Sequence, residues 1–508
     1  MFLEVNTPTV CKDTPSSYRP TWAFYASVLV SLMLPFQFGW SLSQLNLSTF
    51  ASQSDCDARP VADGTCLMFP GHTKTEWTYV VNAWIVGGMI GSLSCGSLAD
   101  KYGRRMVLMV SALFMIVGGA IQASTSSIAV FIIGRVFAGI SSGTATGLVG
   151  GYVNEIAPPN LRNTLSAGLQ VSLSLGTLMV VSSFFFANTT SGWRYIAGFQ
   201  IVWGGVFLLL ASVLLSESPA WLVAKGKRDE AAQVMARIYG EEYVDVAFSW
   251  FEPTTNDSSD IETPRGVSDE NDSSSQLEPR NGQSTFAVLM SPLFRWQLIA
   301  AIGVASAQQL SGINAVFYYS SSLFQDAGIS DDRIGSIVVN VMNFLPTFST
   351  GYLSARFGYR KILLFGLLGM LASAIAITIA LIVEVSSLSI VFTGTYVGVF
   401  SMSLGPLIYV VSADLFPASV RASACSICIF FNYFCNLIVG VSFPYVTDEI
   451  DHYSFVPFVV ILAVFYVFTL KLVPETSRKT SDEIQAWFRA RRGKNAASPS
   501  TSGQNYVN

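Results

Sequence analysis

Residues 308–320 read Gln-Gln-Leu-Ser-Gly-Ile-Asn-Ala-Val-Phe-Tyr-Tyr-Ser, three amide side chains in an otherwise apolar stretch of a very hydrophobic chain. A carboxamide placed in hydrocarbon without partners costs roughly 2–7 kcal/mol. Gln308, Gln309 and Asn314 therefore do not face lipid; they line a polar cavity or join helices to one another. Ser311 and Gly312 lie between them and can loosen the helix, as in the discontinuous helices that build transporter sites near the bilayer midplane.

The rest of the chain fits a membrane setting. It has 508 residues, 51% hydrophobic and only 12% charged, with a mean hydropathy of +0.48. Apolar runs near the 17–25 residues needed to cross a bilayer recur throughout. Twelve are expected, at about 22–46, 77–98, 106–124, 128–151, 164–187, 194–215, 293–325, 332–354, 361–383, 388–412, 421–446 and 455–473. They are called spans one to twelve below.

The net charge of −4 is a local effect. Residues 252–280 carry eight acids against Arg265 and Arg280, which gives that stretch −6 and leaves the remaining chain at +2. No nucleic-acid or acidic-substrate partner follows. No basic start leads directly into an apolar core, so the first span rather than a cleaved leader is expected to direct insertion.

Loop cations set the orientation. One side receives Lys101, Arg104, Arg105, Arg162, Arg356, Arg360, Lys361 and Arg421, and the other Arg59, Lys74, Arg194 and Arg333. The richer side is expected to be cytoplasmic, with both termini and the long central loop on it. Cys95, Cys425, Cys428 and Cys435 fall in apolar spans and read as packing; Cys11 falls in the tail. Cys56 and Cys66 lie in the first loop of the opposite side, where oxidation is open to them, and are the disulfide candidates.

An internal repeat organises the spans. Gly96-Ser-Leu-Ala-Asp100-Lys101-Tyr-Gly103-Arg104-Arg105 follows span two, and Gly351-Tyr-Leu-Ser-Ala355-Arg356-Phe-Gly358-Tyr-Arg360-Lys361 follows span eight. Glu155 precedes Arg162 by seven residues, and Asp414 precedes Arg421 by the same seven. Two six-span halves follow. Charges at these helix ends can pair across the halves and hold one side shut.

Five segments result: a tail (1–21), a first half (22–215), a central loop (216–291), a second half (292–473) and a second tail (474–508). Within the loop, Ala231, Val234, Met235 and Ile238 share one helical face, which reads as a short amphipathic helix for the inner membrane surface. Residues 252–285 are polar, acidic and Ser/Asn-rich, a disordered composition. In the second tail, Thr480-Ser-Asp-Glu483 is a capping box. Ile484, Trp487 and Phe488 then share one face beside Arg489, Arg491, Arg492 and Lys494, again a membrane-surface reading.

These residues resemble the sugar porter family of the major facilitator superfamily, and its facilitative hexose branch most closely. The 308–320 run matches the family's seventh-helix signature, and Pro474-Glu475-Thr476 matches its last-helix ending. Ser216-Glu217-Ser218-Pro219-Ala220-Trp221-Leu222 resembles the element ending the first half, with Ser216 and Ala220 as departures. The resemblance implies an all-α polytopic fold of twelve helices, no enzyme chemistry, no cofactor, and a small hexose as substrate. It implies sugar contacts by Gln170, Gln308, Gln309, Asn314, Asn343, Asn432 and Asn436, with Phe400 and Tyr409 as aromatic walls. It implies an outer aromatic gate of Tyr318 and Tyr319. It assigns cytoplasmic gating to Asp100, Arg104, Arg105, Glu155, Arg162, Glu217, Arg356, Asp414 and Arg421.

The residues themselves agree with a sugar: a neutral polyhydroxylated ligand needs amide donors and acceptors and aromatic faces rather than a charged centre. Ala355 stands where the family has an acid, which implies an incomplete second-half lock; Tyr409 for Trp, Ser401 for Glu, and Ala305-Ser306-Ala307 before Gln308 leave glucose and fructose both open. Ser41 stands where proton-coupled members carry Asp, so uniport is expected, with a proton symporter or a sugar sensor as the other readings. His72 and His452, the only histidines, lie in external loops, and no catalytic or metal set assembles. Asn188 and Asn46 are N-glycosylation acceptors by motif; Asn256 and Asn271 match it but fall in the cytoplasmic loop. The expected location is the plasma membrane, with a monomer as functional unit.

Overall fold

A computed structural model describes residues 20–158, 161, 162, 165, 167–250, 294–318, 332–383, 385–479 and 481–496. The acidic stretch, Cys11, Tyr319, Asn256, Asn271 and Thr480 lie outside the described residues.

Spans one to six are the helices Trp22–Ser43, Lys74–Tyr102, Arg104–Ser124, Ile128–Ile156, Gly168–Ala187 and Gly192–Leu214. Span seven is Arg295–Leu310, loosened at Ser311-Gly312 and helical again over 313–318. Gly312 sits at φ +89°, a conformation that side-chain-bearing residues rarely adopt, and it ends the first piece where the sequence placed the break. Span eight is Asp332–Thr347 followed by Ser349–Phe357; span nine is Tyr359–Ile382; span ten is Ser386–Met402 and Leu404–Asp414, broken at Ser403. Span eleven is Ala418–Ile450 and span twelve Val456–Leu472. Ten of these are long and apolar enough to cross a membrane by length and composition, and Val456–Leu472 is a shorter apolar helix.

Close approach in the first half depends on glycine. A Cβ on Gly87, Gly139 or Gly143 would lie 2.1 Å from a backbone oxygen of the facing helix, so spans two and four meet backbone to backbone. Tyr433 of span eleven crosses between the halves. Its ring fills the space at Gly88, packs edge-on to Phe38 and Trp84, and its hydroxyl lies 3.2 Å from Thr146 Oγ1.

The repeat is visible in bonds. Gly103 (φ +93°) and Gly358 (φ +86°) each turn the chain between two helices. Glu217 accepts from the Arg104 N–H at 2.9 Å, and Glu475 accepts from the Tyr359 N–H at 2.9 Å. Arg105 donates to Ser212 O and Arg360 to Leu470 O, both at 2.6 Å. Arg162 reaches back to Ala157 O, and Arg421 to Phe416 O, five residues in each case.

Two expectations are corrected. The helix Arg228–Tyr239 buries Ala231, Met235 and Ile238 in the core of the first half instead of laying them on lipid, and Tyr239 donates to Ile156 O at 2.8 Å. In the helix Ser481–Ala496, Ile484 and Phe488 are each 2% exposed within the second half's core, and Gln485 accepts from Gln297 at 2.5 Å. In both, the apolar face finds a protein surface to cover at the ends of the spans, which removes it from water as well as a bilayer would.

Candidate functional site

The break in span seven turns its amides toward spans ten and eleven. Gln308 Nε2 donates to Gly405 O at 2.8 Å and Leu404 O at 3.2 Å, carbonyls beside the break in span ten. Its Oε1 accepts from Asn432 at 2.8 Å and Gln309 at 3.1 Å. Gln309 also donates to Asn432 Oδ1 at 2.8 Å and accepts from Asn314. Asn432 completes the set by donating to Ala305 O at 2.9 Å. Four buried amides thus satisfy one another, an arrangement a polyhydroxylated ligand can enter by exchanging bond for bond.

The other expected residues gather around this knot in smaller sets. Tyr318 donates to Asn436 Oδ1 at 3.1 Å and covers the knot on the side away from the tails. A Cβ on Gly405 would lie 3.2 Å from the Phe400 ring and 3.4 Å from Gln170 Nε2, so Gln170 of the first half reaches the break in span ten. Asn343 accepts from Ser401 at 2.6 Å and donates across the halves to Thr177 at 3.4 Å. Tyr409, with Asn432, Ala305, Ser412, Cys425 and Cys428, lines a cavity of about 30 Å³, room for one or two waters. A second cleft between Ala167 of the first half and Ser354, Tyr359 and Leu407 of the second opens on the tail-bearing face.

On the opposite face the two halves touch. Lys74 at the start of span two pairs with Asp448 at the end of span eleven, donates to Pro444 O at 2.8 Å, and lies over the Tyr445 ring. Of the ion pairs recorded among the described residues, this one joins the halves.

The expected cytoplasmic locks are placed differently. Arg104 makes a two-pronged pair with Glu155 at 2.9 and 3.0 Å and reaches Asp100 at 3.1 Å, all inside the first half. Glu217 takes the free N–H groups of Arg104 and Arg105 at the start of span three, and that of Ser218. Burial pushes its carboxyl above the usual range, while those donors pull it down. Arg356 is exposed and bonded to Tyr352 on its own helix. Asp414 is half-buried at the end of span ten, and Tyr359 occupies the Arg104 position of the repeat. Asp100, Arg104, Glu155 and Glu217 therefore brace the first half internally, because they sit at the ends of adjacent helices of that half.

Cys56 and Cys66 form a disulfide. Asn188 is half-buried and accepts from Thr49 at 2.7 Å. Asn46 is 3% exposed and Ser48 is 8%, so the Asn46 assignment is withdrawn: a buried side chain cannot carry a glycan.

Sequence reading passed over Arg135, the charge inside span four. It is 1% exposed and donates to Ser41 O at 3.0 Å, Val81 O at 3.3 Å and Val80 O at 3.4 Å, beside the Trp84 ring. A lone cation in an apolar run was the available signal. Glu475 could have been found by carrying Glu217 through the repeat. Tyr433 had no signal beyond its place next to Asn432.

A bundle of membrane-spanning helices in two repeated halves, with a knot of buried amides at its centre and a cleft between the halves on the tail-bearing face, defines a membrane transporter of the major facilitator fold. The family model described as sugar (and other) transporter matches residues 26–488, and the chain belongs to that family. It is 31% identical over 490 residues to solute carrier family 2, facilitated glucose transporter member 4 of Mus musculus, covering 94% of this chain and 92% of that one. It is 32% identical over 434 residues to member 1 of Gallus gallus, covering 83% and 84%. The fold matches the partially occluded inward-open xylose transporter of E. coli with a TM-score of 0.71 at 22% identity, over 91% of this chain and all of that one. It also matches a proton:xylose symporter bound to 6-bromo-6-deoxy-D-glucose, with a TM-score of 0.71 at 21% identity over 92% and 99%.

Proposed function

We propose that this chain is a facilitative hexose uniporter that works by alternating access, with both tails in the cytoplasm of a plasma-membrane protein. The observation that carries the substrate class is the knot of Gln308, Gln309, Asn314 and Asn432, uncharged amides bonded to one another at the breaks of spans seven and ten. Glucose-like hydroxyls replace these bonds, Gln170 and Asn343 close from the other elements, and Phe400 and Tyr409 offer ring faces to the C–H edges. The cavity beside Asn432 and Tyr409 holds one or two waters rather than a hexose, so binding opens the space around the amides and the halves rock about it.

Uniport is supported by Ser41. Its hydroxyl accepts from Gln37 at 2.8 Å and its carbonyl accepts from Arg135, so carbonyl dipoles meet that buried cation where a coupled carrier needs a titrating carboxylate. The relatives named as facilitated glucose transporters support the same reading. Uptake of radiolabelled glucose into vesicles, competed by unlabelled glucose and by fructose, tests the substrate class. No saturable uptake of either sugar overturns it.

A further inference from the structure

The two halves differ in charge on the tail-bearing face. In the first half Arg104 pairs with Asp100 and Glu155, and Lys227 with Glu230, while Lys101 and Lys225 are exposed without a recorded ion pair. In the second half the repeat places Ala355 at the Asp100 position and Tyr359 at the Arg104 position. The cations there, Arg356, Lys361, Lys471, Arg478, Lys479 and Arg489, are all exposed, and none forms an ion pair with a described acid.

They form one surface. Arg478 donates to Ala355 O, next to Arg356; Arg360 donates to Leu470 O, next to Lys471; and Arg491 of the last helix donates to Lys471 O. Of the acids there, Glu475 is committed to the N–H groups of Tyr359, Arg360 and Ser477, Asp414 is half-buried at the end of span ten, and Glu483 is exposed on the last helix. The surface lies at the edge of the apolar spans: Lys361 is in the first turn of Tyr359–Ile382 and Lys471 in the last turn of Val456–Leu472. Tyr352 and Phe357 stand 64% and 45% exposed beside it, as aromatic side chains do at headgroup level.

We propose that this face is a binding site for an anionic phospholipid headgroup of the leaflet on the tail side. The proposal rests on the orientation given above but not on the sugar. A headgroup phosphate bridges the cations of spans nine and twelve and the last helix, and so ties that helix to the second half from outside, as Ile484 and Phe488 tie it from within. The last helix is thus held to the protein by its apolar face and to the membrane by charge alone.

The experiment uses the full chain purified in detergent, titrated with short-chain phosphatidylinositol 4-phosphate, phosphatidylglycerol and phosphatidylcholine, and with free inositol phosphate. Anionic lipids are expected to bind, phosphatidylcholine is not, and free inositol phosphate should bind at least tenfold more weakly than its lipid because it lacks the chains that enter the span edge. Each cation near the surface is worth about fivefold. The triple change Lys361→Gln, Lys471→Gln, Lys479→Gln should weaken anionic lipid by about 100-fold, and Ala355→Asp, which restores the acid of the first half, by about fivefold. Both variants should keep glucose uptake and lose binding further as salt rises. Equal affinity for phosphatidylcholine, unchanged affinity in the triple variant, or anionic binding that emerges only when residues 252–280 are deleted would each overturn the site. The last outcome would give the face to the acidic stretch of the chain itself. A protein that binds lipid as described but carries no hexose leaves this site standing and removes the proposed function alone.

Discussion

Gln308→Ala is the sharpest perturbation of the chamber. The side chain makes four bonds, to Gly405 O, Leu404 O, Gln309 and Asn432, and every one of these groups is at the point where spans seven, ten and eleven meet. A sugar that displaces them takes one or two hydrogen bonds from the amide, each worth about 1 kcal/mol net. If a buried hydroxyl is also stranded, the loss reaches about 2.7 kcal/mol, so affinity should fall between about 5- and 100-fold. Asn314→Ala removes an amide with one recorded bond, to Gln309, and belongs at the lower end of that range. Asn340→Ala is the control: that amide is also buried in a span, but it donates to Ser336 O on its own helix and should leave affinity unchanged. The assay is equilibrium binding of labelled glucose to purified protein, with surface expression measured in parallel. Wild-type affinity in both Gln308→Ala and Asn314→Ala, at normal expression, would refute the reasoning.

Three further outcomes are expected. Breaking the Lys74–Asp448 pair by Lys74→Ala, with side chains 30% and 61% exposed, should cost at most about 1 kcal/mol and shift the balance toward opening on that face by no more than about fivefold, read as labelling of a cysteine placed beneath it. Cys56→Ser should lower the thermal midpoint without abolishing uptake, because the bridge closes a loop of only ten residues in sequence and typically contributes about 2–4 kcal/mol. Asn188→Gln should remove the glycan shift on a gel while Asn46→Gln changes nothing; sugar found on Asn256 or Asn271 would invert the proposed orientation.

Much of the fold is legible because its signals are physical and local. Runs of apolar residues long enough to cross a bilayer, a polar run at 308–320 with Ser-Gly inside it, and two copies of one loop motif are visible without coordinates. The break at Ser403 was also signalled, by Gly405-Pro406, and passed over: Pro406 has no N–H for Met402 O, and Thr350 of span eight takes the carbonyls of Ser401 and Met402 at 3.3 Å. The pairing of Arg104 with Glu155 rather than with the other half escapes sequence. Spacing places charges at helix ends but does not say which neighbouring end is nearer. Surface helices mislead for a related reason: the Ile484 and Phe488 face has the same pattern whether lipid or protein covers it. Arg135 was legible and overlooked, since attention to acids as proton carriers passes over a buried cation whose partners are backbone carbonyls.

The central claim is passive transport through an uncharged chamber, and the most direct measurement is glucose uptake by purified protein in liposomes with an imposed proton gradient. The interior sugar concentration is expected to rise to the exterior value and stop there, at the same level at external pH 5.5 and 7.5 and with or without a protonophore. Accumulation above the exterior concentration that collapses when the protonophore is added would contradict the account, and would show that a group other than residue 41 couples the sugar to protons.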